Sequence, residues 1–250
     1  MIRISRLPEP TRPSSKGWQR KNGNKFKYNE DFIVNALWKM QHEKCCYCEM
    51  KIPNVGHLKA VEHFVPKSIV KKLTNDWNNL LLACAQCNGK KSDKFPLKLF
   101  RMKYDEDESK VTVIYLKKAI DLKKGAPLLI DPSNDYPEKY LDFVCDIANF
   151  DLGLIIPKKN SKKGAFSIKT IGLYLDYYTN IHRDYIREKL LALFCMLTNA
   201  VDNKDKQSIE LYKNNFTQIM RANYKLAGLT RSFVHNNKLD VNYNIEIPDL

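Results

Sequence analysis

Residues 45–96 read CCYCEMKIPNVGHLKAVEHFVPKSIVKKLTNDWNNLLLACAQCNGKKSDKFP, and this stretch decides how the chain is read. Cys45 and Cys48 form one C-x-x-C pair, and Cys84 and Cys87 form a second. Two such knuckles can supply the four thiolates of one tetrahedral zinc. Cys46 competes with Cys45 as a ligand, but only Cys45 keeps two residues between itself and Cys48. Between the pairs stand Glu62-His63 and Pro66, then Asn79, while Asn88 follows the last cysteine. A zinc clamp would close a segment in which an acid, a histidine and two asparagines could meet. Two C-x-x-C pairs can also form a purely structural knot, and such a knot has no use for that polar group.

Working outward, residues 30–43 place Phe32, Ile33, Ala36, Leu37 and Met40 at helical spacing, leading into the first knuckle. The opening 28 residues are basic and proline-bearing with no apolar core segment, so they are not a secretory signal and read as an extended arm or a loose end. Beyond the motif, residues 111–115 and 128–130 predict short strands. Asp131-Pro132-Ser133-Asn134 predicts a turn, and Pro137 suits the first turn of a helix. Ile186, Leu190, Leu193, Phe194 and Leu197, then Ile209, Tyr212, Phe216 and Ile219, predict two amphipathic helices packed as a hairpin. That hairpin serves as supporting core or as a partner surface.

The chain has 250 residues and a formal net charge of +14, so a polyanion, most plausibly nucleic acid, is the expected partner, although a Lys-rich source bias also produces such a surplus. No apolar run reaches the ~18 residues of a membrane helix. Seven cysteines, an odd count with no export signal, argue for reduced thiols in the cytoplasm. Cys145 and Cys195 lie among apolar residues and read as core fillers.

The elements C-Y-C, E-H-F-V-P-K, W-N-N-L and L-A-C-A-Q-C-N-G-K-K together resemble the HNH, or ββα-metal, endonucleases. The resemblance implies two strands and a helix around one catalytic divalent ion. His63 titrates near neutrality and becomes the general base. Glu62 and Asn88 are hard oxygen ligands that suit Mg²⁺ or Mn²⁺ rather than zinc. Asn79 would orient the loop to the histidine strand. Asn88 would open the helix after the second knuckle. Lys67, Lys90 and Lys91 would meet phosphates, though a solvated helix face accounts for Lys67 nearly as well. Glu62 stands where Asp is more usual, and Asn88 makes this an H-N-N variant.

The opening I-R-I-S-R, the stretch L-L-I-D-P-S-N-D-Y-P-E-K-Y-L-D-F and, more weakly, T-I-G-L-Y are similar to one subfamily, the PtuB nucleases of bacterial Septu anti-phage systems, some of which accompany retrons. That likeness implies a PtuA-type ATPase partner, with a retron reverse transcriptase and its RNA and DNA as further company. The expected protein is a mostly helical α+β chain: an N-terminal arm and helix over 1–43, the zinc-stapled module over 44–100, and mixed strands then helices over 101–250. The expected function is metal-dependent cleavage of DNA in phage defence. RNA cleavage is one alternative, and a non-catalytic zinc module that binds nucleic acid or a partner is another.

Overall fold

The computed structural model describes residues 1–11, 26–55, 58–99, 113–146 and 148–248. His57, the segment 12–25 of the expected arm, and residues 111–112 of the expected strand lie outside them.

Helix α1 spans Asp31–Met40 and buries Ile33, Leu37 and Met40, the i, i+4, i+7 stripe of its sequence. It delivers the chain to a tight loop closed by a bridge between Lys44 and Lys51, which holds the first cysteine pair. Strand β1 (Lys59–His63) then pairs antiparallel with β2 (Leu80–Cys84), with Lys59 opposite Cys84 and His63 opposite Leu80. Leu80–Ala83 are all buried, because the hairpin is covered on both faces, by α1 and by the helix that follows. That helix, α2 (Ala85–Lys91), is capped by Cys84, whose Sγ accepts from the Cys87 N–H. Seven residues rise about 10 Å, enough for α2 to run back along the hairpin and set Lys91 beside the His63 carbonyl. Two strands and one returning helix thus form the ββα unit. Asn88 sits inside α2, which starts at Ala85 and not after Cys87 as expected, since the Cys84 sulfur is a sufficient N-cap.

The remaining elements brace this unit. A three-stranded sheet orders β4 (Val113–Tyr115), β3 (Pro96–Leu99) and β5 (Gly125–Pro127). The expected strand 128–130 is corrected to 125–127. Next in register opposite Leu128 stands Pro96, which has no N–H to return, so the ladder stops after Leu128 donates to the Pro96 carbonyl. Leu128, Leu129 and Ile130 are buried all the same, and Ile130 donates instead to Ser167 Oγ. A second hairpin pairs β6 (Leu141–Phe143) with β7 (Ile155–Pro157).

Helices α3 (Lys162–Ile171), α4 (Asp176–Tyr185), α5 (Leu191–Asp202), α6 (Lys206–Ile219), α7 (Ala227–Asn236) and α8 (Leu239–Asn242) complete the described chain, with a π-turn over Ile186–Leu190 joining α4 to α5. The α5–α6 pair is the expected helical hairpin, inside an α+β architecture with no barrel. Cys145 is buried as expected, but Cys195 is exposed. It lies two residues, or ~200° of helix rotation, from the buried Leu197. The opening residues are no loose arm: Met1, Ile2 and Ile4 are buried, and Arg6 donates to the carbonyls of Trp77 and Leu80. One continuous apolar cluster runs from Met1 to Ile245, including both faces of the hairpin and the helical region. No helix among the described residues is long and apolar enough to cross a membrane.

Candidate metal and hydrolytic centre

The hairpin has two chemically different ends. At the Lys59/Cys84 end, the sulfurs of Cys45, Cys48, Cys84 and Cys87 all lie within 4.8 Å of one another, and no other group of three or more His, Cys, Asp or Glu side chains gathers in this way among the described residues. A tetrahedral ion with bonds of about 2.3 Å holds its sulfurs roughly 3.8 Å apart, and Cys48 and Cys84 are 3.9 Å apart. The four cysteines could therefore hold a metal such as zinc. Cys46, though buried, is not in the cluster. Backbone N–H groups of Tyr47 and Cys87 point at the sulfurs of Cys45 and Cys84, which offsets thiolate charge. The Tyr178 hydroxyl, from α4, lies 3.1 Å from Cys87 Sγ and is fully buried. A metal-bound thiolate only accepts, so this hydroxyl would donate.

At the other end, His63 is 6% exposed and its Nε2 is 2.9 Å from the Thr74 carbonyl. A carbonyl only accepts, so Nε2 carries the proton and Nδ1 is left as an acceptor. Burial lowers the His63 pKa below 6.5; the Thr74 bond opposes this, and Lys67 and Lys91 add to the lowering. These causes favour the neutral imidazole. Asn79 is buried and fixes the loop that carries Thr74. Its Oδ1 accepts from the Val65 N–H at 2.8 Å, and its Nδ2 donates to the Val65 and Leu73 carbonyls. His63 and Asn79 are thus brought to one loop, residues 64–74.

Glu62 shares none of these partners, because successive side chains of a strand diverge. It is 2% exposed, pairs directly with the Lys91 ammonium and accepts from the Tyr47 hydroxyl at 3.1 Å. Burial pushes its carboxyl up to about 6, against the pull of Lys91 and Tyr47. The Glu62 oxygen beside Lys91 and Tyr47 is therefore already engaged. Lys91 corrects another expectation: it is 1% exposed, donates to the His63 carbonyl and neutralises Glu62, so it faces no phosphate. Lys90 and Lys67 are exposed. Asn88 lies one turn before Lys91 on the same helix face. Its carboxamide has no side-chain partner among the described residues, and the second oxygen of Glu62 is likewise without a hydrogen bond there. Each is a hard oxygen donor of the type that suits Mg²⁺ or Mn²⁺.

The sequence did not single out Gln41, Tyr47, Thr74 or Tyr178. Gln41 is buried and stitches three segments: its amide donates to the Lys44 and Leu82 carbonyls and accepts from the Leu82 N–H. Tyr47 sat inside the C-Y-C motif, the one available signal. Thr74 acts through its backbone and Tyr178 through a contact 91 residues away in sequence, so neither leaves a local pattern.

Residues 45–94, which hold both cysteine pairs, the histidine and the asparagines of this ββα unit, match the HNH endonuclease family. Over a longer stretch the chain is 34% identical across 162 residues to "Septu protein PtuB" of Bacillus mycoides (strain KBAB4), covering 59% of this chain and 48% of that protein. It is 41% identical over 70 residues to "Septu protein PtuB" of Bacillus thuringiensis, covering 28% of this chain and 27% of the relative. It is also 27% identical over 159 residues to "Septu protein PtuA" of Bacillus mycoides (strain KBAB4), covering 59% of this chain and 20% of the relative. The matched stretch thus accounts for about half or less of the length of each curated relative.

Proposed function

We propose that this chain is a metal-dependent endonuclease that hydrolyses phosphodiester bonds of DNA in a Septu-type anti-phage system, beside a PtuA-type ATPase. The observation that carries the reading is the geometry of His63: an imidazole tied through Nε2 to the Thr74 carbonyl and offering Nδ1, inside a stretch similar to HNH endonucleases. His63 would take the proton of the attacking water at Nδ1. The Thr74 carbonyl would hold the tautomer through that transfer, and Asn79 would hold the loop that presents Thr74. Lys67 and Lys90 would contact the phosphate backbone. A divalent ion such as Mg²⁺ or Mn²⁺, held by Asn88 and the second Glu62 oxygen, would supply positive charge at the phosphate. Zinc at the four cysteines would be structural. The likeness to two proteins named PtuB supports the defence setting, and the formal charge of +14 supports the nucleic-acid substrate.

The test is cleavage of plasmid DNA and of structured RNA by the wild-type chain and by His63→Ala. Removing a general base costs about 10²–10⁴ in rate, with the melting temperature unchanged. Asn88→Ala is expected to lose activity that added Mn²⁺ partly restores. Wild-type cleavage of RNA alone would replace DNA as substrate. A His63→Ala protein that cleaves at the wild-type rate would overturn the assignment, and a zinc module that binds nucleic acid without cutting would remain.

A further inference from the structure

Tyr28, just ahead of α1, has no place in the sequence motif, yet it touches both chemically active groups at the histidine end of the hairpin. Its backbone N–H donates to Asn75 Oδ1 at 3.0 Å. Asn75 is the neighbour of Thr74, whose carbonyl holds His63. Two consecutive loop residues therefore fix the imidazole and Tyr28 in one frame. The Tyr28 ring meets the imidazole edge-on, with centroids 4.8 Å apart at 74°. Its hydroxyl accepts from Lys67 Nζ at 2.6 Å, and the same ammonium lies 4.1 Å from the ring centroid. Among the described residues no carboxylate pairs with Lys67. An ammonium has three donors, so two remain beyond the one given to Tyr28. The Tyr28 hydroxyl, having accepted from Lys67, keeps its own proton to donate. An exposed lysine ordinarily samples many rotamers, but this one is held by a half-buried phenol beside a buried histidine.

We infer that Tyr28 is a positioning residue: its ring walls the His63 imidazole, and its hydroxyl holds Lys67 so that the pair grips a phosphate oxygen of the nucleic-acid strand next to the base. The inference rests on the nuclease reading and adds to it a residue that the motif does not contain. The two contacts separate by substitution. Tyr28→Phe keeps the ring and loses the grip on Lys67, whereas Tyr28→Ala loses both.

The experiment uses the full chain, as isolated with its bound metal, and a fluorescein-labelled DNA duplex and RNA hairpin. Affinity is read by anisotropy between about 50 and 200 mM KCl. Lys67→Met is expected to lower the slope of log K against log salt by about one, as loss of one phosphate contact does. Tyr28→Phe is expected to weaken binding about 3–10-fold, the scale of one hydrogen bond, and the double variant to bind no worse than Lys67→Met alone. In cleavage, Tyr28→Phe raises KM at constant kcat, while Tyr28→Ala also lowers kcat about tenfold or more, because the imidazole loses its wall. If Tyr28→Ala melts early, Tyr28→Phe and Lys67→Met, which alter only a hydroxyl and an exposed side chain, still decide. Wild-type affinity and salt slope in both of these, alongside an inactive His63→Ala, overturn the inference and leave the nuclease reading standing. A wild-type chain that neither binds nor cleaves either probe overturns both.

Discussion

The two ends of the β1–β2 hairpin, about 13 Å apart at strand spacing, are built on opposite rules. The cysteine end is assembled from side chains whose spacing in the sequence is itself the design. Its four sulfurs gather with backbone donors and one buried tyrosine, and the site is closed. The histidine end is assembled from groups the sequence scatters: a backbone carbonyl at Thr74, an amide at Asn79, and a phenol from before α1. A metal knot at the four cysteines would stabilise the fold, whereas a base at His63 would need one nitrogen free, so the first end is expected to tolerate no loss and the second to lose chemistry before it loses structure.

The largest effect is expected where that contrast is sharpest. Structural zinc contributes roughly 10–16 kcal/mol in isolated zinc peptides, more than the stability of most domains. Cys84→Ser is therefore expected to abolish metal binding and cooperative unfolding, while His63→Ala melts as the wild type does. Metal analysis beside calorimetry measures both, and a Cys84→Ser chain with wild-type melting and metal content would erase the difference between the two ends.

Asn79→Ala is expected to fall between them. It removes an amide that holds three partners, two carbonyls and one N–H, in a buried loop. At about 1–3 kcal/mol for an unsatisfied buried group, the variant loses both melting temperature and activity. Activity lost with no change in melting would place Asn79 in the chemistry and not in the frame.

A third expectation concerns the helical region that supports both ends. His182 is 2% exposed, packs edge-on against Phe143 and sits 2.9 Å from the Gly153 carbonyl through Nδ1. Burial lowers its pKa to about 4, against the pull of Gly153. Below pH 6.5 the unfolded chain takes up this proton and the native chain does not. Stability is then lost as pH falls from 6.5 toward 4, by at most about 3 kcal/mol at 1.36 kcal/mol per unit. Urea midpoints measured across that window should fall less steeply for His182→Gln than for the wild type. Equal slopes would remove His182 from the pH dependence.

A fourth expectation distinguishes the cysteine end from a self-sufficient knuckle. Tyr178→Phe removes the hydroxyl on Cys87, a bond to a charged group worth about 1.5–3 kcal/mol. Zinc transfer to a chromogenic chelator is expected to quicken while the protein stays folded. An unchanged transfer rate would mean that the knuckle is insulated from α4.

The difference between the two ends also explains what could be read without coordinates. The α1 stripe, the cysteine cluster and the α5–α6 hairpin follow from periodicity and spacing, which are local properties of a chain. The strand expected over 128–130 lies three residues earlier, at 125–127, because its end was set by Pro96 on another strand. Cys195 was expected inside because its neighbours are apolar, but rotation on the helix turned it outward. Lys91 followed the motif and was expected to meet phosphate. Its place below Glu62 arises only when α2 folds back along β1.

The sequence alone determined which residues could bear the chemistry: four thiols in paired knuckles, one histidine, and hard oxygen donors at Glu62 and Asn88. Residue type fixes what an atom can donate, accept or ligate, and covalent spacing fixes which neighbours a knuckle can join. Only the tertiary structure decided what each group is committed to. Lys91 is committed to Glu62, Nε2 of His63 to Thr74, and Tyr178 to Cys87, while Nδ1 of His63 and the Asn88 carboxamide have no partner among the described residues. Burial decides these commitments, because a polar group removed from water must find a partner from whatever segment lies beside it.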